Sequence, residues 1–200
     1  MDESAFESHW LAYDWSEISE IDFPQVCDRI AERTLKVMDF WKTSNWAPPG
    51  PAQKLDKAML DWQASLAKCL TKWLDDDSPG ELILAWTNLG ALVEGFLTLF
   101  LTVHYNTYTR QFDQNDPKQK DPEELTMREL LQFFRKNIWD VGFDWSDWVR
   151  HVQERRNSIH AFRPRELGTF EEWRRDVRIF LLFFNDTDGR LPYPDLRYFD

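Results

Sequence analysis

One stretch of this 200-residue chain gathers the side chains that act on phosphate esters: Glu154-Arg155-Arg156-Asn157-Ser158-Ile159-His160. Imidazole titrates near neutrality and can take or give a proton, guanidinium forks match phosphate oxygens two at a time, and an amide or hydroxyl orients either. Arg155, Arg156 and His160 are therefore the candidate catalytic residues, with Asn157 and Ser158 as positioning groups. In a straight helix, positions four apart share a face, while positions five apart are turned by roughly 140°. Helical spacing thus makes Arg156 the same-chain neighbour of His160. The bland alternative is a solvated helix end, because arginine and histidine also gather at a helix C-terminus to offset its partial negative charge. Arg150, Arg163 and Arg165 extend the basic run and are read as contacts to a nucleic-acid backbone.

With Ala161 and Phe162 added, the run from Arg155 to Phe162 resembles the Arg-x4-His signature of the HEPN superfamily, small helical bundles that include many prokaryotic toxins and antiviral ribonucleases. The order of elements from about Glu81 to Asn185 is similar too: a long apolar helix, an amphipathic helix, then the signature near the C-terminal end of another. One feature departs from the family pattern, which usually sets Asn, Asp or His directly after the arginine. Arg155 has the family's spacing to His160 but is followed by Arg156, whereas Arg156 is followed by Asn157 but lies four residues before His160. The register stays open.

The resemblance implies a homodimer in which two copies of the signature helix meet, and there Arg155 too can reach a shared cleft. It also implies a metal-independent endoribonuclease that needs no cofactor. His160 moves protons around the ribose 2′-hydroxyl, arginine steadies the phosphorane, and the products carry a 2′,3′-cyclic phosphate and a 5′-hydroxyl. DNA, lacking that hydroxyl, is inert. A toxin or phage-defence role, with RNA as substrate and an antitoxin or regulatory protein as partner, rests on the resemblance alone. Two other readings stand beside it: a non-catalytic helical module for dimerisation or protein interaction, and a nucleotide-binding member of the family.

The elements that must position these residues are helical. Asp22 as N-cap and Pro24 in the first turn open an amphipathic helix carried by Phe23, Val26, Cys27, Ile30, Val37, Met38 and Trp41. The run from Ala47 to Pro51 stops it, and a second helix from Leu55 to Trp73 runs to the breaker at Asp75 to Gly80. The third, Glu81 to Tyr108, is apolar around most of its circumference, as a central element is. Asn88 and Glu94 are its polar exceptions and need buried partners; Glu94 is expected to hold Arg155 or Arg156. After a polar loop from Asp113 to Pro122, Asp121-Pro122-Glu123-Glu124 starts a fourth helix. Trp145 to Phe162 lie on a fifth that ends near Pro164, and Thr169 with Glu172 makes a capping box for a sixth. The expected fold is all-α, a single domain of about six helices. Its parts are an acidic segment at 1–21, an N-terminal helical pair at 22–74, an HEPN-like core at 81–185 and a tail at 186–200.

Hydrophobic residues make up 42% of the chain against only seven glycines, which favours a packed helical core over disorder. A net charge of −11 excludes broad coating of nucleic acid by phosphate neutralisation. Any such contact is local: residues 150–165 hold five arginines against Glu154, whereas residues 1–32 hold nine acids against Arg29. Cys27 and Cys69 fall on apolar helix positions, which fits a reducing compartment. His9, His104, His151 and His160 have no metal-ligand spacing, and there is no phosphate-binding glycine loop or nucleophile elbow. Trp10, Trp15, Trp145 and Trp148 can stack on bases, although tryptophan at helical spacing is usually core. The acidic opening MDESAFESHW lacks the basic-then-apolar pattern of a secretory leader, so a cytoplasmic location is expected. Leu82 to Tyr105 is long and apolar enough to weigh as a membrane span. Asn88, Glu94, His104 and the lack of Lys/Arg-rich flanks favour a buried core helix and no membrane.

Overall fold

The computed structural model describes residues 11–74, 78–110, 120–139, 143–160 and 166–194; among these it holds nine α-helices and three 3-10 turns, and no strand. The first helix, α1 (Leu11–Glu20), lies in the stretch read as a mere acidic segment. Leu11 and Ile18, seven residues and about two turns apart, share a face, and both are buried. The next, α2 (Phe23–Thr43), begins behind Asp22 with Pro24 in its first turn, and its buried stripe recurs every three or four residues as the spacing predicts.

The proline run after α2 does not only stop a helix. Pro49 and Pro51 occupy the first turn of α3 (Pro49–Leu55), where a missing N–H leaves no hydrogen bond unmade. The chain then restarts as α4 (Leu60–Lys68), which tightens into a 3-10 turn at Cys69–Trp73 and packs along α2. The single helix expected from Leu55 to Trp73 is thus two elements.

The central element is α5 (Pro79–Val103), opened by Pro79 and by the Ser78 hydroxyl, which accepts the Glu81 N–H. By length and composition it could cross a membrane, yet 61% of its most apolar 18 residues are buried by the protein itself. It stops at His104, and Tyr105–Arg110 forms a separate short helix, α6. Two capping boxes then follow in close succession. Asp121 with Glu124 closes only a 3-10 turn, and Thr126 with Glu129, followed by the buried Leu130, Leu131 and Phe134, opens α7 (Met127–Asn137).

The last two helices, α8 (Ser146–Arg156) and α9 (Phe170–Asp188), run antiparallel: Trp145 meets Asp186, Trp148 meets Phe183 and His151 meets Asp176. The box predicted from Thr169 and Glu172 caps α9. Trp86, Trp145, Trp148, Trp173, Phe183 and Phe184 are fully buried where α5, α8 and α9 meet, and truncating such a ring to alanine costs about 3–5 kcal/mol. Trp145 and Trp148 are therefore walls of the core and not platforms for bases; their indole N–H groups donate to Asp186 and Asp176, each at 2.8 Å. Trp15 also packs against this core, and Trp10 lies outside the described residues.

Candidate functional site

The signature helix ends earlier than its spacing predicts. α8 stops at Arg156, Asn157–Ile159 tightens into a 3-10 turn, and His160 leaves helical geometry with φ −87° and ψ 80°. Two causes are legible. Pro164 has no N–H to give the His160 carbonyl, and Asn157 and Ser158 are weak helix formers. His160 is consequently exposed at the end of the turn, its own N–H donating to the Asn157 carbonyl at 3.2 Å. It does not sit one helical turn beyond Arg156 on a shared face.

The two arginines, neighbours in sequence and turned by roughly 100° from one another, go to different places. Arg156 lies across Gly90 of α5, so close that a Cβ there would stand 2.6 to 2.9 Å from its Cδ, Cβ and Cγ. Its Nη2 is 2.8 Å from Glu94 Oε2, and its Nη1 reaches Met127 Sδ at 3.8 Å. Glu94 thus pairs with Arg156 and not with Arg155. Arg155 turns inward, is only 8% exposed, and donates to the Glu166 carbonyl. Gly168, with φ +74°, brings the chain past it; a Cβ at that position would lie 3.2 Å from the Arg155 guanidinium carbon.

The remaining candidates are dispersed. Asn157 and Ser158 are half-buried, and the Ser158 hydroxyl is shielded from solvent with no hydrogen-bond partner. Arg150 is exposed and pairs with Asp147 at 3.0 Å. Arg163 and Arg165 lie outside the described residues. Asn88 is buried with neither its amide nitrogen nor its oxygen partnered, so the partner its burial calls for is missing among the described residues. The structure therefore joins Arg156 to Glu94, sets His160 in solvent just beyond, and sends Arg155 elsewhere.

One turn before Arg155 on α8, His151 belongs to a group that residue order did not reveal. Asp176 of α9 is wholly buried; it accepts from Trp148 Nε1 at 2.8 Å and lies 3.2 Å from His151 Nε2. The His151 ring stands edge-on to Trp86 with centroids 5.6 Å apart, and Trp86 Nε1 donates to the Leu167 carbonyl at 3.0 Å. The available signal was an aspartate interrupting the apolar face of α9 between Trp173 and Val177. Among the described residues no cluster of His, Cys, Asp or Glu has metal-binding geometry. Cys27 and Cys69 are free thiols, and burial pushes that of Cys27 up to about 12.

On the outer side of α5, half-exposed Thr87, Ala91, Glu94 and Gly95 form a strip. Arg156 borders it at Gly90, and Gln63 borders it at Gly95, donating to the Leu92 carbonyl at 2.8 Å. Large apolar side chains also stand exposed on these elements: Leu84 on α5, Trp62 on α4 and Ile159 just after α8. These elements define an all-α protein. No family model, no curated protein and no solved structure matches the chain.

Proposed function

We propose that the chain is a metal-independent endoribonuclease of the HEPN type that works as a homodimer. The observation that carries this reading is the anchoring of Arg156. An arginine whose aliphatic stem lies over Gly90 and whose guanidinium pairs with Glu94 at the end of α8 is followed, four residues on, by an exposed imidazole. Glu94 engages one nitrogen of the guanidinium and leaves further N–H donors for a phosphate. In the reaction, His160 accepts the proton of a ribose 2′-hydroxyl, whose oxygen attacks the adjacent phosphorus. The P–O5′ bond breaks, and the departing 5′-oxygen takes a proton. Arginine stabilises the extra negative charge of the phosphorane.

Because His160 lies beyond the helix, the Arg156 that serves it comes from the same chain only through the 157–159 turn, or from a second copy across a two-fold axis. The apolar side chains Ile159, Leu84 and Trp62 favour a surface that is covered in the working protein, which also supports the second reading, a helical interaction module without catalysis. Incubating the protein and its His160→Ala variant with a labelled structured RNA in EDTA decides between them. The ribonuclease produces fragments with 2′,3′-cyclic phosphate ends that the variant does not. Equal cleavage by the two proteins removes His160 from the mechanism, and no cleavage by either favours the interaction module.

A further inference from the structure

Where α5 stops at His104 and the chain restarts as α6, a cavity of about 160 Å³ opens beside the core. It is lined by Phe100 and His104 at the end of α5, Tyr108 of α6, Phe133 of α7, and Ile138 just after α7. One further residue of the lining, Arg190, ties three of these parts together. Its guanidinium holds Asp186 of α9 through contacts of 3.0 to 3.2 Å and donates to the Ile138 carbonyl at 3.2 Å, while its own carbonyl lies 3.3 Å from His104 Nε2. The Tyr108 hydroxyl donates to the Lys120 carbonyl at 2.7 Å, and its ring meets Phe133 edge-on with centroids 5.2 Å apart. Walls fixed in this way before anything binds spare a ligand the cost of ordering them.

The lining decides what fits. Its surface is mostly aromatic and aliphatic, and an apolar cavity of about 150 Å³ is large enough to take benzene. Aromatic walls receive a further ring in edge-to-face or offset geometry. A charged ligand is not favoured, because the Arg190 cation is already met by Asp186 at 3.0 Å. One polar atom is left over. A carbonyl only accepts, so Nε2 carries the His104 proton, and in the uncharged ring Nδ1 is an acceptor to which no described residue donates. Burial outweighs the Arg190 carbonyl and holds this imidazole below its ordinary 6.5, which keeps the ring uncharged at neutrality.

We propose that the cavity binds a small, uncharged, single-ring aromatic molecule carrying one O–H or N–H donor, a compound of the phenol class, with its ring among Phe100, Tyr108 and Phe133 and its donor on His104 Nδ1. His104 stands fourteen residues along the chain from Gly90, roughly 21 Å of helix, so this site is separate from the Arg156–Glu94 pair and does not rest on the ribonuclease reading.

The test is titration of the folded protein with phenol and, in a second arm, with toluene, which puts a methyl group in place of the hydroxyl. Calorimetry gives the two affinities, and nitrogen NMR follows His104 Nδ1, whose signal moves when that atom accepts a hydrogen bond. Saturable binding of phenol, roughly tenfold tighter than that of toluene as one buried hydrogen bond allows, with the Nδ1 signal moving for phenol alone, supports the site. Thr107 also lines the cavity and is exposed, so Thr107→Trp should block the mouth and abolish both bindings while leaving the fold intact. His104→Phe keeps a ring beside Phe100 but removes the acceptor, and should bind phenol and toluene alike. No saturable binding of phenol, binding that persists in Thr107→Trp, or equal affinities for the two compounds in the parent protein overturns the proposal. If His104→Phe does not fold, the parent decides: an Nδ1 signal unmoved at saturating phenol overturns it as well.

Discussion

At Gly90 the lack of one methyl group decides where Arg156 goes. Alanine there gains about 1 kcal/mol of helix propensity. It also sets a carbon within 2.6 to 2.9 Å of the base of the arginine side chain, which cannot swing away as a flexible tip would. Overpacking of this kind costs about 1–3 kcal/mol, so Gly90→Ala is expected to lower stability in chemical denaturation. Combining it with Arg156→Ala removes the Cγ and Cδ contacts and leaves only that to Cβ, so the double variant should be more stable than the two single losses summed. Additive losses would mean that Arg156 does not lie on Gly90. On the ribonuclease reading, Gly90→Ala also loses activity, because the Glu94 pair is displaced.

At the scale of the element, α5 ends on a histidine whose environment makes that end sensitive to pH. His104 caps the helix through its N–H, and its Nε2 lies 3.3 Å from the Arg190 carbonyl. Burial holds its imidazole below the ordinary 6.5, partly opposed by that carbonyl. Below 6.5 the unfolded chain therefore binds the proton more readily than the folded one, and stability falls as pH falls through that range. Melting temperatures taken from neutrality downward should drop through this window, and His104→Gln should flatten the drop. An unchanged slope in the variant would place the acid sensitivity elsewhere. α8 shows the complementary lesson: two weak helix formers, Asn157 and Ser158, and Pro164, which has no N–H to donate, end the helix before the histidine that spacing places on it.

For the whole molecule, the proposed dimer makes a prediction that is separable from folding. Ile159 is 50% exposed and Trp62 68% exposed, so replacing Ile159 by glutamate should change the stability of the monomer by no more than about 0.5 kcal/mol. The same Ile159→Glu change should shift the sedimentation coefficient from dimer to monomer. A parent protein that sediments as a monomer at the highest soluble concentration would defeat the dimer.

The all-α class, the capping box at Thr169, the start of α2 at Asp22 and the centrality of α5 were all legible from residue order, because each depends on neighbours within a turn or on apolar periodicity. The extra breaks at Asp56 to Met59 and at His104, and the buried face of α1, were not, since local propensity there is weak and packing chooses. The same division runs through the site. Sequence alone named the arginines, the histidine and Glu94, because their chemistry is a property of residue type. Which arginine meets Glu94, that Trp145 and Trp148 are core, and that Asp176 holds His151 were decided only when separate helices came together. A contact between residues 25 or 62 positions apart, such as His151 with Asp176 or Arg156 with Glu94, leaves no periodic trace in one sequence. It exists only where the shapes of two packed helices bring those side chains face to face.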